Sequence, residues 1–93
     1  MISPETVFGG YADSIIKIPE KYDGLEVHGV SEEPDGSGGF VCEVNDDDPH
    51  FFSVYAHLKE GGVDCIGDFQ TRDDAQAYAL IISAQHNWPI DSD

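Results

Sequence analysis

Apolar and polar residues alternate along the middle of the chain. Leu25, Val27 and Gly29 alternate with Glu26 and His28, which predicts a half-buried strand. Phe40, Cys42 and Val44 alternate with Val41 and Glu43 in a second. In a third, Phe52, Val54, Ala56 and Leu58 define one face and Phe51, Ser53, Tyr55 and His57 the other. Val63, Cys65, Gly67 and Phe69 mark the inner face of a fourth, with Asp64, Ile66 and Asp68 outward. The separators carry turn chemistry. A polar tract over 31–39 predicts a loop, 45–49 an acidic turn, and Lys59-Glu60-Gly61-Gly62 a glycine-containing hairpin.

The period then changes. Thr71-Arg72-Asp73-Asp74 has the form of a helix N-terminus, with two Asp in the first turn. A helix is predicted over 72–87, with Ala75, Tyr78, Ala79 and Ile82 on one face and Ala77, Ile81, Ala84 and Trp88 continuing round the cylinder. An apolar arc this wide predicts a helix buried across a sheet as the main core element. Pro89 ends it, and 90–93 read as a loose tail. The N-terminal segment 1–24 is mixed. Ser3-Pro4-Glu5 can open a helical turn that Gly9-Gly10 stops, 14–18 suggest a short strand ended by Pro19, and Tyr22-Asp23-Gly24 is a turn.

These elements predict one α+β domain over 1–93. Segment 1–24 leads into antiparallel strands over 25–69, and three or four of them pack on the single C-terminal helix 72–87 as two layers. At 93 residues there is no room for a second domain.

Charge sharpens the picture. Nineteen carboxylates face four basic residues, Lys17, Lys21, Lys59 and Arg72, for a net charge of −15. Disorder is excluded by five Phe, four Tyr and one Trp set in periodic patterns. Direct binding to a nucleic-acid backbone needs Lys and Arg to displace counterions, and anionic membrane needs basic clusters, so both are disfavoured. No apolar run approaches the ~18 residues of a membrane span, and no basic stretch precedes an apolar one at the N-terminus. The expected location is the cytoplasm, that of a host cell if the chain is phage-encoded, and the expected state is a monomer or weak homodimer.

Catalytic and metal chemistry find little support. Cys42 and Cys65 sit in apolar strands as core thiols, with a single cross-strand disulfide as the alternative. Pairing either with His28 or His57 would make a nucleophile only beside positive charge, and these surroundings are negative. Neither CxxC nor HxxxH spacing occurs. Asp46-Asp47-Asp48-Pro49-His50 is rich in hard oxygen ligands but lacks the Gly and terminal Glu of a calcium loop. Asn45 stands where a nuclease of the PD…ExK kind needs Lys, and Gly36-Ser37-Gly38-Gly39 precedes a strand rather than a helix. No catalytic residue, metal or cofactor is assigned.

The charge itself is the remaining feature. Glu26, Glu43, Asp64 and Asp68 are expected as a carboxylate lattice on the outer sheet face, extended by Asp46, Asp47 and Asp48, with Tyr55 as aromatic anchor. Such a lattice can stand in for backbone phosphates before a basic groove. In size, charge and lack of catalytic residues the chain resembles the small DNA-mimic inhibitors of phages and mobile elements, the anti-CRISPR and anti-restriction proteins. The tail from Val54 to Trp88, with Tyr55-Ala56-His57-Leu58 and Asp68-Phe69-Gln70-Thr71-Arg72-Asp73-Asp74-Ala75, is similar to small accessory proteins of such elements. The resemblance implies a non-catalytic inhibitor whose partner is a basic, nucleic-acid-binding effector. The alternatives are an immunity or antitoxin-like partner of a basic toxin, and a weak divalent-metal-binding accessory domain.

Overall fold

The computed structural model describes residues 9–45 and 47–92. Expectations for Ser3-Pro4-Glu5, for Asp46 and for the Cys42 side chain lie outside what is described. The chain is α+β, a mixed sheet of about six strands with one long C-terminal helix. Its strands are β1 (Gly9–Gly10), β2 (Tyr22–Pro34), β3 (Phe40–Val44), β4 (Phe51–Leu58), β5 (Val63–Phe69) and β6 (Ile90–Ser92). The helices are α1 (Ala12–Ile15) and α2 (Arg72–His86), with a 3-10 turn at Pro19–Lys21.

The four long strands form the expected antiparallel ladder in the order β5-β4-β2-β3, and β1 adds to β5. The prediction of three or four antiparallel strands needs one correction. β6 lies parallel to β2, Leu25 beside Ile90 and Val27 beside Ser92. Because Leu25 to Val27 also pair with β4, β6 occupies the opposite edge of β2, the edge that β3 shares further along. The expected loose tail is therefore a strand. Pro89 stops the helix, its carbonyl accepts from Leu25 N–H at 2.9 Å, and Ile90 packs on the core.

β2 is longer than its alternation suggested. It starts at Tyr22 and runs through the polar tract to Pro34, because β3 pairs with Val30 to Pro34 and satisfies that backbone. The expected strand at 14–18 is instead the end of α1 and the run into the 3-10 turn. Gly9-Gly10, expected only as a stop, forms β1 beside Asp68 and Gly67. A Cβ on Gly10 would fall 2.2 Å from the Tyr78 ring, so only glycine allows that ring to lie against the edge strand.

The core lies between the sheet and α2. Leu25, Val27, Val54, Ala56 and Ile66 meet Ala75, Ala79, Ile82 and Trp88, with Tyr22 and Ala12 at the margins. Full burial of each large aliphatic here contributes roughly 1.5–3 kcal/mol. The helix is capped as its sequence predicts, Thr71 Oγ1 accepting from Asp74 N–H at 3.1 Å. It ends on Asn87 in the left-handed region, at φ 59°. The expectation that the whole apolar arc is buried fails: Leu80 is 63% and Ile81 56% exposed. Val30 and Phe51 are buried on the opposite face of the sheet, which is therefore not polar throughout.

Candidate acidic interface

Strand pairing decides which carboxylates share a face. Across β2, β4 and β5 two rows form on the face away from α2: Glu26–Tyr55–Cys65 and His28–Ser53–Asp68. The lattice expected on this face is split. Asp64 stands opposite Ala56, on the helix side, where it accepts a hydrogen bond from Tyr22 Oη at 2.7 Å. The cause is a bulge: Val54 pairs with Gly67 and Tyr55 with Cys65, leaving Ile66 as an extra residue that reverses the alternation. Ile66, expected outward, is fully buried, and Cys65, expected inward, lies on the outer face. Glu43 pairs with Ser31, whose parity along β2 is that of Leu25 and Val27, so it too leaves the face of Glu26 and Asp68.

The carboxylates that remain are engaged. Asp68 accepts from Ser53 Oγ at 2.6 Å through one oxygen and from Tyr11 Oη at 2.7 Å through the other. The Cys65 thiol lies 3.1 Å from the same Tyr11 hydroxyl. Burial pushes the Tyr11 hydroxyl far above its ordinary range, and both hydrogen-bonded neighbours add to the rise. Burial likewise raises the Cys65 thiol, which stays protonated and is free of any disulfide. Ser53 is 1% exposed and gives its proton to Asp68 rather than to His28, the reverse of what an activated serine requires. His28 Nε2 donates to Glu26 at 2.9 Å, and its ring centroid lies 5.9 Å from that of half-buried Tyr55.

Beside this network β6 builds a groove. Asp23, Gly24, Leu25, Glu26, His57, Pro89, Ile90 and Asp91 line about 370 Å³ of open space. Glu26 and Asp91 are direct neighbours across the parallel pair, about 4.8 Å apart by strand spacing. A register shift between Tyr22 and Gly24 makes Asp23 an extra residue, and its exposed carboxylate accepts from His57 Nδ1 at 2.7 Å. Three acidic residues thus line a shallow groove, two of them already holding a histidine, with Tyr55 next to Glu26 in the adjoining strand. Sequence patterning missed Asp23 and Asp91. The first lay in an expected turn and the second in an expected loose tail.

Further acidic residues are spread along the β2–β3 hairpin and the turn that follows β3. Glu33, Asp35, Glu43, Asp47 and Asp48 are all exposed there. Asp35 organises the hairpin, its Oδ1 accepting from Ser37 N–H at 2.8 Å and from Gly39 N–H at 3.1 Å. These hydrogen bonds, that from Ser37 first, hold its carboxyl below the usual range. Among the described residues no three His, Cys, Asp or Glu are grouped so as to hold a metal ion, and no helix is long and apolar enough to cross a membrane.

No protein-family model, curated protein or solved structure matches this chain. Of the eight residues predicted to meet a partner, Glu26 lines the groove, Tyr55 is its cross-strand neighbour, Glu43, Asp47 and Asp48 are exposed acids on β3 and the turn after it, and Asp64 and Asp68 accept internal hydrogen bonds. Asp46 is outside the described residues.

Proposed function

We propose that the protein is a non-catalytic inhibitor that occupies the basic nucleic-acid-binding surface of a host defence complex, in the manner of the anti-CRISPR and anti-restriction proteins it resembles. The observation that carries this reading is that Asp23, Glu26 and Asp91 line one open groove. A guanidinium or ammonium group placed there meets two or three carboxylates at once, as it would meet adjacent phosphates. Tyr55 supplies apolar area beside them, and the exposed acids of the β2–β3 hairpin widen the negative field that steers a basic partner.

The test is capture from bacterial lysate at low salt, followed by a nucleic-acid competition. The expected captive is a nucleic-acid-binding effector that releases its DNA or RNA when the protein binds. Glu26→Lys with Asp91→Lys should lower affinity at least ~100-fold, and rising salt should weaken the complex. A captive that still holds nucleic acid, or a co-encoded basic toxin, overturns the mimicry reading; the toxin would establish the immunity reading instead.

A further inference from the structure

Histidine sits on two of the three acids that line the groove. His57, itself part of the groove wall, donates from Nδ1 to Asp23 Oδ1 at 2.7 Å, and His28 donates from Nε2 to Glu26 Oε1 at 2.9 Å. Strand pairing places both contacts there. His57 stands opposite Gly24, which has no side chain to cover the space, and Asp23 is the extra residue beside it. His28 follows Glu26 by two positions on the same face of β2, and Glu26 has Asp91 beside it in β6. With both rings neutral, the carboxylates of Asp23, Glu26 and Asp91 give the groove three negative charges. Two imidazolium charges against those three leave one.

We propose, resting on the reading of this groove as a seat for basic groups, that His57 and His28 gate it by pH. Neutral, they leave its acids open to an incoming cation; protonated, they occupy those acids as internal cations. An imidazolium resembles the guest it excludes, being a planar cation whose N–H donors rest on a carboxylate oxygen. Histidine is the side chain whose charge ordinarily changes between about pH 5 and pH 8, whereas carboxyl groups ordinarily titrate near about pH 4. The groups around the two rings do not replace them in that window. Val63 in β5 stands opposite His57, and Lys21 and Lys59, joined through their backbones at 2.9 Å, flank that end. Ser53 stands opposite His28, with Asp68 beyond it and the Tyr55 ring alongside. The Tyr11 hydroxyl and Cys65 thiol beside Asp68 are pushed up by burial and stay protonated. Proton and basic ligand therefore compete for one site, and binding in the middle of the window expels protons.

The probe is a hexa-arginine peptide, titrated by calorimetry into the intact protein at low salt. Affinity should fall ~10-fold from about pH 8 to about pH 5.5, since two exposed charges each act modestly. At about pH 6.5 binding should release protons, read as a heat that varies with the ionisation enthalpy of the buffer. His57→Asn keeps an N–H donor near the place of Nδ1 and His28→Gln one near that of Nε2, and neither titrates. The double variant should match the parent at about pH 8, keep that affinity at about pH 5.5 and release no protons. If melting curves show the double variant to be unfolded, His57→Asn alone, at the more exposed pair, should still remove part of the pH dependence. Asp91→Asn should weaken binding at every pH, which locates the peptide in the groove. Equal affinity at both pH values, pH dependence undiminished in the histidine variants, indifference to Asp91→Asn, or no binding at about pH 8 would each overturn the gate. The inhibitory reading stands or falls separately. An effector captured and stripped of nucleic acid equally well at both pH values keeps that reading and removes the gate. A peptide gated by the histidines, with no effector captured, does the reverse.

Discussion

At the residue scale, the carboxylates divide by what they accept. Asp68 and Asp64 act as hydrogen-bond acceptors for Tyr11, Ser53 and Tyr22, and this reverses an expectation drawn from charge alone. Charge reversal at Asp64 or Asp68 should not relieve repulsion and stabilise. Asp68→Ala strands the buried Ser53 hydroxyl and should cost about 2 kcal/mol in urea unfolding. Charge reversal at exposed Asp47 and Asp48 should leave stability unchanged or higher. The tyrosines also set an alkaline limit. The hydrogen bond to Asp64, and then burial, raise the Tyr22 hydroxyl, as burial first raises Tyr11. Unfolded tyrosines ionise near pH 10, and the folded hydroxyls hold their protons above it. The stability they contribute is thus complete below about pH 10 and is lost as pH rises further. Melting curves from about pH 8 to pH 11 should show this loss, reduced in Tyr11→Phe and Tyr22→Phe.

At the scale of elements, the last strand holds more than its length suggests. β6 supplies three residues to the ladder, adds Ile90 to the core and carries Asp91 to the groove. Removing 90–93 should lower stability by about 2 kcal/mol and melting temperature by roughly 10 °C. It should also weaken partner binding beyond what the loss of stability explains. The helix start is simpler: Thr71→Ala removes the acceptor for Asp74 N–H and should cost about 1 kcal/mol. Gly10→Ala drives a methyl into the Tyr78 ring, and calorimetry should show a larger loss than Gly24→Ala, where the added methyl meets only ordinary contacts.

At the scale of the whole molecule, fifteen uncompensated negative charges repel one another across one small body. Screening shortens the range of that repulsion from ~30 Å at 0.01 M salt to ~3 Å at 1 M. Melting temperature should therefore rise with NaCl over this range while the complex with a basic partner weakens. A flat or falling melting temperature would mean that the charges are not crowded.

What the sequence determined by itself is the set of local periods. Alternation located β3, β4, β5 and the first half of β2, and Thr71 with the 3.6-residue pattern located α2, because these signals arise from each segment's own burial. Parity between segments was not local. A single extra residue at Ile66 moved Asp64 to the helix side and Cys65 to the outer face, and the adjoining Gly67 is a local sign of such a bulge that the alternation concealed. The pairing of β2 with β3 likewise turned Glu43 away from Glu26. The wide apolar arc of α2 signalled burial, yet the sheet covers only one side of a helix, and Leu80 and Ile81 remain exposed. The groove itself depends on Asp23, Glu26 and Asp91, which a parallel strand brings together from opposite ends of the chain. Long-range pairing decided that site, and no local pattern encodes it.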